Sequence, residues 1–222
     1  MNANNRATLG RGIFDSASFE PGWRANRIVR QLGIAGFLTV EEMRDLQLDV
    51  HSAEAENLRP FLMTLKPTSP SGKAGLAMLN HWDGSMLADR AEPLIWNAWV
   101  RRLALDLLRP KLGNLTDAYL ATQRPRLARL LAGEGHWCEP QKCSEIASRS
   151  FDAALNELSR SYGPMSEWKW GKAHLASFTH DIFSHLPLIG RRLVVAPQTG
   201  GDATTVNSGQ TSLWSKTPFL QD

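Results

Sequence analysis

Asn4 and Arg27 are the residues in this chain whose types are best suited to work on a polar substrate. Asn4 sits in an amide-rich opening, Met1-Asn-Ala-Asn-Asn-Arg6. An asparagine amide is a neutral, directional donor of the kind that stabilises a developing oxyanion, worth roughly 3–4 kcal/mol when well placed. The same side chains also favour turns and helix caps. Arg27 follows in Trp23-Arg-Ala-Asn-Arg27-Ile28, where a guanidinium can orient a polar group or simply lie solvated over its packed stem. Late in the chain His174, His180 and His185 are candidate metal ligands, but their spacing matches no standard zinc pattern and no nearby acid completes a set. Gly200-Gly201-Asp202 could cradle a phosphate, yet neither Gly-x-Gly-x-x-Gly nor a Gly-Lys-Ser/Thr pattern accompanies it. Nothing in the spacing supports a Ser-His-Asp triad.

The elements that must position these residues are mostly helical. Trp23, Ile28, Val29 and Leu32 begin an amphipathic helix carrying Arg24, Arg27 and Arg30, and Gly33 and Gly36 end it. Thr39-Val-Glu-Glu42 reads as a capping box opening a second helix with Met43, Leu46 and Leu48. Leu58, Phe61, Leu62 and Leu65 give a third over Ala53–Leu65. Lys66 to Gly72, with two prolines and two serines, reads as a loop. His81-Trp82-Asp83-Gly84 is a turn whose tryptophan plugs the core and whose Asp83 forms the turn. The longest helix is expected from Leu94 to Leu108, stopped by Pro110, with Trp96, Trp99, Val100, Leu103 and Leu107 as its buried stripe. Asn114 to Leu131 reads as helix interrupted by Pro125, Gly133 to Lys142 as a loop, and Ser144 to Tyr162 as helix stopped by Gly163-Pro164. Cys138 and Cys143 fit neither a redox nor a zinc motif; they either close a short disulfide loop or remain free thiols.

Composition narrows the function classes. With 25 basic and 22 acidic residues interspersed, there is no concentrated basic face, so a nucleic-acid partner is not expected. No run of about 18 apolar residues occurs, so no membrane span is expected either. Eight tryptophans against two tyrosines point to large, fixed packing sites.

The Asn-Ala-Asn-Asn-Arg loop followed by the Trp-Arg-Ala-Asn-Arg-Ile helix start resembles the penicillin acylase (penicillin amidase) family. Leu79-x-x-Trp82-Asp83-Gly84 followed by an Ala-rich helix is similar to the helical part of the family's β-chain. So is Trp168-Lys-Trp170-Gly-Lys-Ala-His174, which resembles the family's Trp-x-Trp-Gly-x-x-His segment. Leu193-Val-Val-Ala-Pro and Gly200-Gly201-Asp-Ala-Thr-Thr-Val-Asn207 follow in family order. There the Gly-Gly run is a turn between sheet elements, and Thr205-Val206-Asn207 starts an extended segment.

The resemblance implies an amidohydrolase acting on an acyl amide through an N-terminal Ser, Thr or Cys whose own α-amino group serves as base. Asn4 then matches the oxyanion-hole asparagine, and Arg27 the arginine near the active site. No cofactor is required for such chemistry. Asp15 lies close to the carboxylate that some members give to a structural calcium. The chain starts Met1-Asn2, and Ser71 and Ser144 fall after the asparagine, so the nucleophile is expected from outside this sequence. The family's later Gly-x-Ser-x-Arg and Gly-Gln-Ser-Gly patterns are also not met before Asp222.

The expected fold class is α+β: a mostly helical fragment of the αββα N-terminal-nucleophile hydrolase fold, with short strands near both ends. Its blocks would be an oxyanion loop and first helix over 1–32, a helical region over 39–162 and a strand-containing segment over 168–222, incomplete at both ends. Exposed strand edges and apolar surface would then call for a complementing acylase segment or chain. Its location would be periplasmic or secreted if an export signal lies upstream. The alternative from another class is a non-catalytic helical interaction or scaffold protein, in which the tryptophans are core and the Asn loop is a cap.

Overall fold

A computed structural model describes residues 22–34, 38–122, 126–176, 178–179 and 194–208. The helices are α1 (Trp23–Ile34), α2 (Val40–Gln47), α3 (Ala53–Leu62), α4 (Pro70–Asn80), α5 (Glu92–Leu112), α6 (Leu115–Thr122), α7 (Leu127–Leu131) and α8 (Cys143–Tyr162). Two short strands, β1 (Phe178–Thr179) and β2 (Val194–Val195), pair antiparallel with Phe178 opposite Val195. The described protein is therefore mostly helical, as expected. Of the two strand regions anticipated, the late one is present and the early one lies outside the described residues. Among the described residues, no helix is long and apolar enough to cross a membrane.

α5 is the axis of the bundle. Trp96, Trp99, Val100, Leu103 and Leu107 recur at helical spacing and are at most 1% exposed, so one face is wholly buried. α8 lies along that face and sends in Phe151, Ala154, Leu155 and Leu158. Trp99 meets Trp96 edge-on at 5.4 Å between ring centroids and Phe151 at 5.9 Å. Its indole N–H donates to the Ala147 carbonyl of α8 at 3.2 Å, so the ring's polar handle is satisfied inside the core. At the rim, Arg102 bridges Asp106 on its own helix (3.0 Å) and Glu157 on α8 (2.5 Å). Trp82 closes the other end of the aromatic row, 5.7 Å from Trp96.

Local signals set several boundaries. The capping box is formed: Glu42 N–H donates to Thr39 Oγ1 while Thr39 N–H donates to Glu42 Oε2. Three prolines depart from the expected pattern. Pro70 opens α4 as its first residue, capped by Ser69, where a missing N–H costs nothing. The loop is thus shorter than the expected Lys66–Gly72. Pro110 does not stop α5, which runs to Leu112, because in the last turn a proline forfeits a single bond. α3 ends at Leu62 rather than Leu65, shortly after Pro60, and two turn bonds still carry Leu65 into the core. α6 ends at Thr122 and α7 begins at Leu127, while Pro125, expected to interrupt the helix, lies outside the described residues. Cys138 and Cys143 are joined in a disulfide that ties the loop after α7 to the first turn of α8.

α2 stands apart. None of its residues is buried, and Val40, Met43 and Leu48 are exposed beside it or on it. The amphipathic stripe read from Met43, Leu46 and Leu48 therefore has no core to cover among the described residues.

The start of α4 is held by Asp152 of α8. Its carboxylate accepts from Ser69 Oγ (2.6 Å) and N–H, and from Thr68 N–H (2.8 Å) and Oγ1. Burial pushes the Asp152 pKa up, but these four donors outweigh it and hold the group below its ordinary value of 3.8. Because the folded pKa is depressed, the stability it contributes is complete above that ordinary value and is lost as pH falls through the folded one. Asp152→Asn should flatten the acid limb of the stability curve below about pH 4, read from urea midpoints as a function of pH. An unchanged acid limb would show that other carboxylates carry it.

Candidate functional site

Arg27 sits on the second turn of α1 and does not point freely into solvent. Its Nε donates to Asp49 Oδ2 at 2.6 Å, with the two side chains 19% and 12% exposed. With the Gln31 amide oxygen turned toward it, Arg27 Nη2 and Nη1 donate at 3.0 and 3.2 Å. Three of the five guanidinium N–H groups are spent on this mount, and two are left over among the described residues. Asp49 is itself fixed. Its other carboxylate oxygen accepts the His51 N–H at 2.8 Å, and its carbonyl accepts the Asn207 N–H at 2.9 Å.

That last bond joins the two constellations that sequence reading kept apart. The loop carrying Gly200-Gly201-Asp202 and Thr205-Val206-Asn207 returns to lie against the start of α3. Asp202 is fully buried, and its Oδ1 accepts from Thr204 N–H and Oγ1, both at 2.7 Å. Thr204 Oγ1 in turn lies 3.0 Å from the hydroxyl of Ser52, the residue that caps α3. Thr205 Oγ1 accepts from Asp202 N–H at 2.9 Å and lies 2.5 Å from the Asn207 carbonyl. The segment expected to run extended from Thr205 is instead a compact hydroxyl-braced turn, because Asp202 and Thr205 satisfy the loop's backbone locally. Gly201 permits it: at φ +82° a Cβ would fall 2.2 Å from the Asn207 carbonyl oxygen.

The Trp-x-Trp-Gly-x-x-His segment forms the platform beneath this loop. Trp170 Nε1 donates to the Gly201 carbonyl at 2.9 Å, and its ring stacks on His174 at 4.8 Å with 9° between planes. His174 Nδ1 lies 2.9 Å from the Thr199 carbonyl, so that nitrogen carries the proton. Gly171 N–H donates to the Ala88 carbonyl at 2.7 Å and Gly201 N–H to that of Met86 at 2.8 Å, fastening the platform to the segment before α5. His174 is thus a buried structural residue. His180 and His185 lie outside the described residues, and among those described no cluster of three or more His, Cys, Asp or Glu gathers.

The penicillin amidase family model matches residues 1–219. This chain belongs to the penicillin amidase family. No curated protein matches it. Within this family frame, Arg27 is described and anchored, whereas Asn4 and Asp15 lie outside the described residues. Asp83 is the turn former that its place before Gly84 indicated. Its carboxylate accepts from Ser85 N–H and Oγ, both at 2.9 Å, and the Ser85 backbone bond leads the causes that hold its pKa below the ordinary value. Ser71 lies in the first turn of α4, with its hydroxyl 3.2 Å from that of Ser69, and Ser144 in the first turn of α8.

Sequence reading missed Asp49, the residue that mounts Arg27. Its only signal was its place just past α2, and nothing local distinguishes an acid there from a solvated one. It also missed a groove between α1, α3 and α7, of about 330 Å³. Trp23, one helical turn before Arg27, and Asn26, its immediate neighbour, line one wall; Asn57 and Leu58 of α3 face them, and Leu127 of α7 closes the far side.

Proposed function

We propose that the chain is the helical part of an acyl-amide hydrolase of the N-terminal-nucleophile type, built on the αββα plan. In this reading the blocks 1–32, 39–162 and 168–222 form a partial domain that complementing acylase segments complete. The nucleophilic Ser, Thr or Cys, with its own α-amino group as base, comes from such a segment. Asn4 donates to the oxyanion of the tetrahedral intermediate, and Arg27 orients polar groups of the substrate beside it. Asp15 would contribute one carboxylate to a structural calcium whose remaining ligands lie elsewhere; the chemistry needs no cofactor.

The observation that carries this reading is the mounting of Arg27. A guanidinium clamped by Asp49 and Gln31, with two N–H groups left over, is pre-organised rather than floppy, which is what a substrate-orienting group requires. Asp49 is in turn secured by Asn207 of the late motif, so both family landmarks converge on one residue. The hydroxyls of Ser52, Ser69, Thr39 and Thr68 act as helix caps or carboxylate donors.

The test is complementation. The pure chain should not turn over a chromogenic acyl amide. Mixing it with the upstream and downstream segments of its gene should give saturable turnover. Turnover by the chain alone would refute the missing-nucleophile reading, and no turnover in the completed assembly would refute the hydrolase reading. The rival, a non-catalytic scaffold, draws support from the uncovered apolar residues of α2. It predicts stable association with those segments without turnover.

A further inference from the structure

We infer that α2 is the docking ridge for this chain's own residues 213–220, which run antiparallel along it and cover its apolar side. α2 presents Val40, Met43 and Leu46 at i, i+3 and i+6, which places all three on one side of the helix. Leu38 precedes that ridge and Leu48 follows it, and Val40 and Leu48 are 81% and 58% exposed. Glu41, Glu42 and Asp45 outnumber Arg44 on the other sides, so the helix carries net negative charge. An isolated helix this short is marginal in water, and its stability comes from packing of its apolar side. α2 therefore needs a cover.

The occupant follows from where the described chain leaves the fold. Asn207 N–H donates to the Asp49 carbonyl at 2.9 Å, and Asp49 N–H donates to the Leu46 carbonyl of α2 at 3.2 Å. Ser208 forms a bridge with Asp202, so the exit is fixed on that side too. Residues 209–222 thus start beside the C-terminal end of α2. They hold two apolar pairs, Leu213-Trp214 and Phe219-Leu220, with Lys216 between them. The lengths agree. α2 is about 12 Å long, and the five residues from Ser208 to Leu213 reach at most about 17 Å, as do the five from Trp214 to Phe219. With Leu213 and Trp214 against Leu48 and Met43, Phe219 and Leu220 meet Val40 and Leu38, and Lys216 passes the acidic sides of α2. So short a tether gives the segment an effective concentration in roughly the millimolar range, an advantage that a separate chain lacks. The cover also backs Asp49, and through it the mount of Arg27.

Hydrogen exchange read by mass spectrometry on the full chain tests this. The peptide spanning 40–47 should be protected, and Trp214→Ser should speed its exchange about tenfold while α5 and α8 keep their rates. Phe219→Ser should act in the same direction. A second measurement reads the contact directly. The full chain carrying both Val40→Cys and Phe219→Cys should form an intrachain disulfide between the two introduced thiols on mild oxidation, since Cys138 and Cys143 are already joined. Exchange over 40–47 that Trp214→Ser leaves unchanged would overturn the inference. So would exchange that speeds equally across α5 and α8, which would place Trp214 in the core. Protection that rises with protein concentration, or disulfides formed only between molecules, would give the ridge to a second copy and overturn it as well. Neither readout involves turnover, so the result stands whether or not the completed assembly hydrolyses an amide.

Discussion

Trp99→Ala is expected to lower the unfolding free energy by about 3–5 kcal/mol, the range for truncating a large buried aromatic. The ring is fully buried at the centre of α5, in edge contact with both Trp96 and Phe151, and its N–H is bonded to α8. Removing it empties a volume that neighbours on two long helices cannot fill without shifting, and it orphans one hydrogen bond. A domain of ordinary stability has about 5–15 kcal/mol in all, so this variant would be marginal or unfolded. Trp99→Phe separates the terms. It keeps most of the volume and loses the donor, and should cost about 1–2 kcal/mol. Urea denaturation followed by far-ultraviolet dichroism reads both. A loss below 1 kcal/mol for the alanine variant would mean that α5 and α8 are not packed as described.

The second large effect concerns chemistry. With Asn4 as the oxyanion donor proposed above, Asn4→Ala in the complemented assembly should lower kcat about 100- to 1000-fold, the typical result of deleting one such donor. KM should change little, because the donor acts on charge that develops only in the transition state. An Arg27→Met variant should show the opposite split. It should raise KM for amides with polar groups more than it lowers kcat, since the role proposed for Arg27 is to orient rather than to react. If Asn4→Ala leaves kcat within threefold, Asn4 is a loop residue and the scaffold reading gains. If kcat and KM both rise or fall together by large factors, the variant has disturbed assembly rather than the oxyanion.

The legible parts of this fold are those encoded locally. Thr39 and Glu42 specify a cap within four residues, and the stripe Trp96, Trp99, Leu103, Leu107 specifies both helix and buried face within one element. Prolines were the weak point. Pro60, Pro70 and Pro110 all fall where a lost N–H is cheap, in a first or last turn, and composition alone does not separate those places from a helix interior. Of the candidate site, Arg27 was named from its motif but its partner was not. Asp49 lies 22 residues on, and the Asn207 contact that fixes it comes from the other end of the described chain. The Thr205 turn was likewise hidden, because its extended reading came from family order, while the bonds of Asp202 to Thr204 and Thr205 decide the shape.

The Asn207–Asp49 bond also closes a very large ring of chain. Its two posts stand roughly 160 residues apart, and the chain already returns beside them part-way, where Met86 N–H donates to the Val50 carbonyl and Ser52 N–H to that of Gly84. Bringing such distant ends together from an unfolded chain is entropically costly, though that cost grows only slowly with length. Once the bundle has folded, its shape has already brought the ends together and the clasp closes almost freely. The mount of Arg27 therefore inherits the cooperativity of the whole helical body: a core lesion far from the clasp, such as one at Trp99, would loosen the arginine without touching it.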